Sequence, residues 1–238
     1  MCRATDLRTA VLAKNDHGAQ ELRAELAARR TAMVNLLSSP GSGKTALLEA
    51  ELTLARERGV PVAALTADLA TENDATRLAR SGAPVRQVLT AGLCHIETDM
   101  LRGHLDGWLP DATRLLFVEN VGNLVCPASY DLGETLRVAL ASVTEGEDKP
   151  LKYPTAFGLA HLVVVTKDDL AAAAEFDRAA FLDHVRQVNP GVEVVFTSAR
   201  RGAGVGQLLD RALAAADGEP VHTPVMAATA PADREPVR

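Results

Sequence analysis

The sequence has no excess of basic charge. Its 238 residues carry 25 Lys and Arg against 31 Asp and Glu, a formal net charge of −6. With a pI near 5.5 it offers no positive face to a phosphodiester backbone, so nucleic acid is not an expected partner. No apolar run approaches the roughly 18 residues needed to cross a bilayer, so no membrane span is expected. The opening Met1-Cys2-Arg3-Ala4-Thr5-Asp6 has no apolar stretch of the secretory kind. Three cysteines, Cys2, Cys94 and Cys126, are too few and too scattered for a disulfide framework. They fit a reducing, cytoplasmic setting with thiol or metal chemistry. No internal repeat, zinc-finger spacing or His-rich run is found.

What remains is 47% hydrophobic with a mean hydropathy of +0.02, ample for one α/β domain with a sizeable core. Apolar runs predict strands at Met33–Leu37, Val60–Thr66, Val85–Leu89, Leu115–Val118, Val138–Val143, Leu162–Val165 and Val192–Phe196. Helical segments are expected at Thr45–Arg58, Glu72–Arg80, Thr98–Trp108, Ala179–Val188 and Val205–Ala216. Strands of near-continuous Val and Leu alternating with helices imply a mostly parallel central sheet with helices on both faces. Residues 1–31 read as an N-terminal helical extension, with Leu22 and Leu26 on one face. Residues 32–216 are expected to form the main α/β domain. Residues 217–238, rich in Pro, Ala and charge, are expected to be a disordered tail.

The most specific motif is Ser38-Ser39-Pro40-Gly41-Ser42-Gly43-Lys44-Thr45, lying between the first predicted strand and Ala46-Leu47-Leu48. Strand, glycine loop and helix in that order form a P-loop, whose backbone N–H groups and helix N-terminus cradle phosphates. Pro40, Gly41, Ser42, Gly43, Lys44, Thr45 and Ala46 are the expected contacts. Lys44 reaches the β- and γ-phosphates, and the Thr45 hydroxyl suits Mg²⁺. Ser38 stands where Gly is usual. Asp68 and Glu119 end neighbouring apolar runs, where a carboxylate for Mg²⁺ is expected. Helix capping is the plainer role for either. Glu119-Asn120-Val121-Gly122 resembles the γ-phosphate loop of GTPases, with Gly122 as its N–H donor. Lys44 and Asp68 are the catalytic candidates, with no clear residue to orient water.

Thr166-Lys167-Asp168-Asp169 follows a strand as Asn-Lys-x-Asp does in GTPases. Asp169 would accept from guanine N1–H and the 2-amino group, Lys167 would lie along the base, and Thr166 departs from Asn. Ser198-Ala199-Arg200 resembles the loop that backs the guanine. Cys94-His95 and Cys126 are 32 positions apart (126 − 94). Two thiolates and an imidazole suit Zn²⁺ or Ni²⁺ and leave a coordination position open, whereas lone cysteines are commonly small core residues.

Taken together, these residues resemble the HypB family of hydrogenase-maturation GTPases. The resemblance runs through Asn35–Thr45, Asp68–Ala75, Gly82-Ala83-Pro84, Cys94-His95, Glu119–Pro127 and Ser142–Pro154, covering roughly 32–210. It implies a P-loop GTPase that handles nickel for nickel–iron hydrogenase and forms a homodimer favoured by GTP. It also implies nickel-transfer accessory proteins and the hydrogenase large subunit as partners. Cys94, His95 and Cys126 match the family's metal ligands at the dimer interface, and Asp68 and Glu119 its Mg²⁺/γ-phosphate positions. The cysteine-rich N-terminal nickel site and His-rich stretch of some members are not seen, which favours nickel delivery over storage. Other readings fit less well. A urease-type nickel GTPase commonly has Cys-Pro-His, and a Min/Par-type ATPase has a Lys where Ser39 stands. A small-molecule kinase needs an arginine-bearing lid. A zinc-bound scaffold with an idle nucleotide site would show no metal-sensitive hydrolysis.

Overall fold

The computed structural model describes residues 2–68, 73–90 and 92–228; the side chains of residues 2–9, 68 and 228 lie outside the described set. In chain order the elements are α1 (Cys2–Ala28), β1 (Ala32–Ser38), α2 (Lys44–Glu57), β2 (Val62–Asp68), α3 (Asn73–Ala79), β3 (Val85–Leu89), α4 (Thr98–Leu105), β4 (Leu115–Gly122) and β5 (Leu136–Ser142). Then follow α5 (Lys149–Lys152), α6 (Pro154–Gly158), β6 (Leu162–Thr166), α7 (Arg178–Val188), β7 (Glu193–Phe196), α8 (Gln207–Ala216) and α9 (Val225–Ala228). The seven strands form one sheet in the order β3-β2-β4-β1-β5-β6-β7. Every neighbouring pair is parallel.

Alternation along each strand feeds two faces. Val34 and Leu36 of β1 join Leu47, Leu48 and Leu52 of α2, Phe117 of β4 and Leu208 and Leu209 of α8 on one side. Met33 faces the other way, toward Leu22 and Leu26 of α1 and Leu101 of α4. Leu37, Val163 and Val165 meet Phe157 and Phe181 further along that second face. Both sides are covered, which is why the strands read as continuous apolar runs.

Leu22 and Leu26 are buried as the sequence implies. Polar contacts fix the rest of α1: Arg102 of α4 pairs with Glu21 and Glu25, and Asn15 donates to Asp131 O at 2.7 Å. Several element bounds differ from expectation. Strand β4 runs four residues past Val118, so Glu119 lies inside it. Helix α8 begins at Gln207 because Gly206 takes a left-handed conformation (φ 97°). Helix α4 stops at Leu105, short of Trp108. The short helices α5, α6 and α9 were not expected. The expected tail also differs over 217–228. Val221 packs on the core, His222 Nε2 lies 2.7 Å from Asn189 Oδ1, and α9 follows. Residues 229–238 lie outside the described residues. No described helix is long and apolar enough to cross a membrane.

Candidate nucleotide and metal site

The parallel sheet places the carboxyl ends of β1, β2, β4, β5 and β6 on one rim, and every predicted nucleotide residue falls there or in the loops beyond it. The chain leaves β1 at Ser38, turns through Pro40–Gly43 and enters α2 at Lys44. Gly43, at φ 91°, takes a left-handed conformation that a side chain would strain. Ser42 Oγ donates to Ser38 Oγ at 2.6 Å, so the serine at the motif's first position ties the loop to itself. Gly122 lies against the other side of the loop. A Cβ there would come within 3.1 Å of Pro40 Cα, so only Gly allows this approach without a shift.

Glu119 is the centre of the phosphate end. Thr45 Oγ1 donates to its Oε1 at 2.6 Å and Thr66 Oγ1 to its Oε2 at 3.0 Å, while Lys44 Nζ stands 3.8 Å from Oε1. The side chain is 2% exposed, and burial raises its carboxyl above the ordinary range, against the pull of Lys44 and Thr45. A buried carboxylate beside a threonine hydroxyl is a hard oxygen pair, the donor set that suits Mg²⁺. Asp68 ends β2, and its side chain lies outside the described residues, as do Leu69–Glu72 of the family-like segment. A cavity of about 430 Å³ over the loop is lined by Pro40–Ala46, Glu119 and Gly122, and also by Ala67, Asp74 and Arg77. Sequence reasoning missed Asp74 and Arg77. Both follow Asp68 within one short segment, which was the available signal.

At the base end, Lys167 takes a left-handed conformation (φ 56°) and its Nζ donates to Gly41 O at 2.7 Å. Its stem passes over Gly43. Thr166 is buried, and its hydroxyl donates to Ser42 O, with Ala141 O at 3.3 Å. The threonine that replaces asparagine therefore ties strand β6 to the glycine loop. Asp169 accepts from Ser198 Oγ at 2.6 Å, and that bond holds its carboxyl below the usual range. Its neighbour Asp168 is engaged by Arg178. Ala199 lines a neighbouring cavity of about 690 Å³ against α2.

Cys94 and Cys126 lie close enough to interact, and Cys126, followed by burial, raises the Cys94 thiol above its ordinary range. Cys94 Sγ is 3.6 Å from His95 Nδ1. The His95 ring is buried against Tyr130, centroids 4.0 Å apart, with Glu97 Oε1 3.5 Å from its Nε2. Among the described residues no three His, Cys, Asp or Glu side chains converge closely enough to hold a metal ion. The three predicted ligands are neighbours, short of a closed cage within one chain. Two groups brace them. Asn123 donates to Cys94 O at 3.4 Å and accepts from Val125 N at 2.8 Å. Arg137, buried on β5, donates to Ala128 O at 3.2 Å and Tyr130 O at 3.1 Å and pairs with buried Glu134. Burial opposes ionisation of Glu134, and Arg137 outweighs it, so this carboxyl stays below the ordinary range. Sequence reasoning passed over Asn123, Tyr130, Glu134 and Arg137, since single polar residues on a strand or loop carry no spacing signal.

A glycine loop between the first strand and the helix after it, in a wholly parallel sheet, with a buried carboxylate facing the loop threonine, defines a P-loop nucleotide-binding protein. The family description "CobW/HypB/UreG, nucleotide-binding domain" matches residues 32–196. A hydrogenase maturation factor HypB of Azotobacter vinelandii is 48% identical over 200 residues, covering 84% of this chain and 65% of that protein. The Escherichia coli K12 factor of the same name is 45% identical over 208 residues, covering 87% and 71%. The chain belongs to the HypB family of hydrogenase maturation factors. It spans about two thirds of the length of these relatives. Among solved structures, HypB from Helicobacter pylori in complex with nickel superposes with a TM-score of 0.82 at 32% identity, covering 89% of this chain and 98% of that one. HypB from Archaeoglobus fulgidus gives 0.79 at 32%, covering 86% and 100%. The signal recognition particle 54 kDa protein of Aeropyrum pernix, at 0.56 and 17%, shares the fold alone.

Proposed function

We propose that this protein is a GTP-hydrolysing nickel chaperone that helps insert nickel into nickel–iron hydrogenase. In this reading it acts in the cytoplasm, as a homodimer favoured by GTP, with nickel-transfer accessory proteins and the hydrogenase large subunit as partners. The observation that carries the reading is the course of one segment. Strand β4 bears Glu119 against Thr45, brings Gly122 against Pro40, and continues within four residues to Cys126, whose thiol meets Cys94.

Backbone N–H groups from Gly41 to Ala46 and the Lys44 ammonium would bind the phosphates. Thr45 and Glu119, with Asp68, would hold Mg²⁺, which neutralises charge on the β- and γ-phosphates. Asp169, oriented by Ser198, selects guanine, with Lys167 along the base. Gly122 is close enough to the loop to sense the γ-phosphate and to shift when it leaves. That shift reaches Cys126 through three residues. Nickel or zinc would be carried by Cys94, Cys126 and His95, a donor set that suits both. Exposed Leu93 and Val125 beside these ligands are apolar surface suited to a second copy. Metal binding must displace the thiol protons, so affinity falls in acid.

The test is nickel titration of the purified chain with GDP and with a non-hydrolysable GTP analogue, while its oligomeric state is followed. Different nickel affinity and a larger dimer fraction with the analogue are expected. Equal affinity and equal oligomeric state in both would remove the switch.

A further inference from the structure

The cavity over the glycine loop is lined by a cation that the nucleotide chemistry above leaves without a role. Its charged lining residues are Lys44, Arg77, Asp74 and Glu119. Lys44 already faces Glu119, so it answers a buried carboxylate as well as any phosphate. A nucleoside triphosphate brings more negative charge than one shared ammonium offsets. Arg77, on α3, is the other cation lining this cavity.

Arg77 also lines the larger cavity between α2 and the loop that follows Ser198, and Ala46 lines both. Arg77 therefore borders both the cavity at the glycine loop and the one that reaches Ala199. Arg77 Nε donates to Glu49 Oε2 at 2.6 Å, and Glu49 sits on α2 five residues after Lys44. A guanidinium that gives Nε to one acceptor keeps its Nη donors for another, in a planar fork that matches phosphate oxygens.

We propose that Arg77 is a second phosphate-binding cation of the nucleotide site, aimed by Glu49. The proposal rests on the guanine-nucleotide reading and adds a residue to it. Glu49 acts as a positioning residue: it fixes the plane of the guanidinium and so its Nη edge. The pair joins the helix of the glycine loop to α3, the helix that follows Asp68, so phosphate held by Arg77 also ties those two helices together. As a bridge the pair is half-exposed (Arg77 43%, Glu49 24%), and such pairs contribute little to folding.

The experiment measures affinity of wild type, Arg77→Ala, Arg77→Lys and Glu49→Gln for a non-hydrolysable GTP analogue, GDP and GMP, with Mg²⁺, and records thermal midpoints. Arg77→Ala should lose about tenfold or more toward the analogue, the size of a lost charge-assisted hydrogen bond. The loss should shrink as phosphates are removed, and the midpoint should hold. Arg77→Lys should recover part of it, lacking the fork, and Glu49→Gln should fall between. Affinities of Arg77→Ala within about twofold of wild type for all three nucleotides, where wild type binds them, would overturn the role of Arg77 alone. A wild-type chain that binds none of the three would overturn the guanine reading and the proposal with it.

Discussion

Replacing Glu51 with Gln should flatten the pH dependence of stability. Glu51 lies on α2, fully buried, and accepts from Gly206 N at 3.1 Å and Leu209 N at 3.3 Å, two N–H groups at the start of α8. Burial raises its carboxyl from 4.5 to about 7. Asp210 adds to the rise, while Arg58, engaged with Asp210, opposes it. A carboxyl whose folded value is raised stabilises the fold fully below its unfolded value, and that stability is lost as pH rises through the folded one. Here the window runs from about 4.5 to about 7, and the full change is about 3 kcal/mol, with about 2.5 kcal/mol falling between about pH 5 and pH 8. Glutamine removes the charge and keeps one acceptor oxygen, although in wild type the two N–H groups bond different carboxyl oxygens. Urea unfolding of wild type and Glu51→Gln at several pH values measures the difference. Wild type should lose stability from about pH 5 to about pH 8 while the variant stays level, so the difference between them moves in favour of the variant as pH rises. Parallel curves for the two proteins would refute the argument. Replacement by Leu separates cap from charge, costing about 1 kcal/mol at low pH, the worth of a lost helix cap.

Asp169→Asn should weaken guanine-nucleotide binding by about a hundredfold, because one carboxylate accepts from two base donors; competition between GDP and its xanthine analogue checks this, since the new amide suits xanthine. Arg137→Met leaves Glu134 charged and buried without its partner, so it should destabilise the fold by about 3–5 kcal/mol in urea unfolding. Tyr130→Leu keeps that pair but strips the ring from His95, and should weaken nickel binding in a titration while leaving GDP affinity unchanged.

The sheet was legible because its inner strands are buried on both faces, which leaves apolar runs with no alternation to misread. The glycine loop was legible because Gly43 and Lys44 stand at a strand-to-helix junction where other roles are few. Bounds failed where backbone conformation decides: Gly206 stops α8 from starting at Val205, and polar Glu119 and Asn120 stay in β4 because pairing with β1 continues to Gly122. The tail was misread over 217–228 because its prolines outvoted Val221 and His222, which hold it to the core. Thr166 looked like a weakened base contact. Its partner, Ser42 O, lies 124 residues away, and such a contact exists only after folding. Arg77 and Arg137 were invisible for the same reason, since an isolated Arg reads as solvated surface until its neighbours are known.

In the proposed function, the coupling between nucleotide and metal narrows to one residue. Strand β4 is held by β1 through Gly122, and Arg137 grips the backbone at Ala128 and Tyr130. Between those anchors, Leu124 is buried and Cys126 holds its thiol against Cys94. Asn123 is the first residue past the strand, and its side chain spans both arms of the metal site, donating to Cys94 O and accepting from Val125 N. A movement of Gly122 must pass through Asn123 to reach either thiol. Asn123→Ala removes both contacts and leaves the backbone, the glycine loop and all three metal ligands in place. GDP affinity should match wild type, and nickel should still bind, with affinity lower by about threefold to tenfold for the lost bracing bonds. The ratio of nickel affinities in the GTP-analogue and GDP states should fall toward one. If that ratio survives the substitution intact, the signal travels along the backbone alone and Asn123 is only a turn residue.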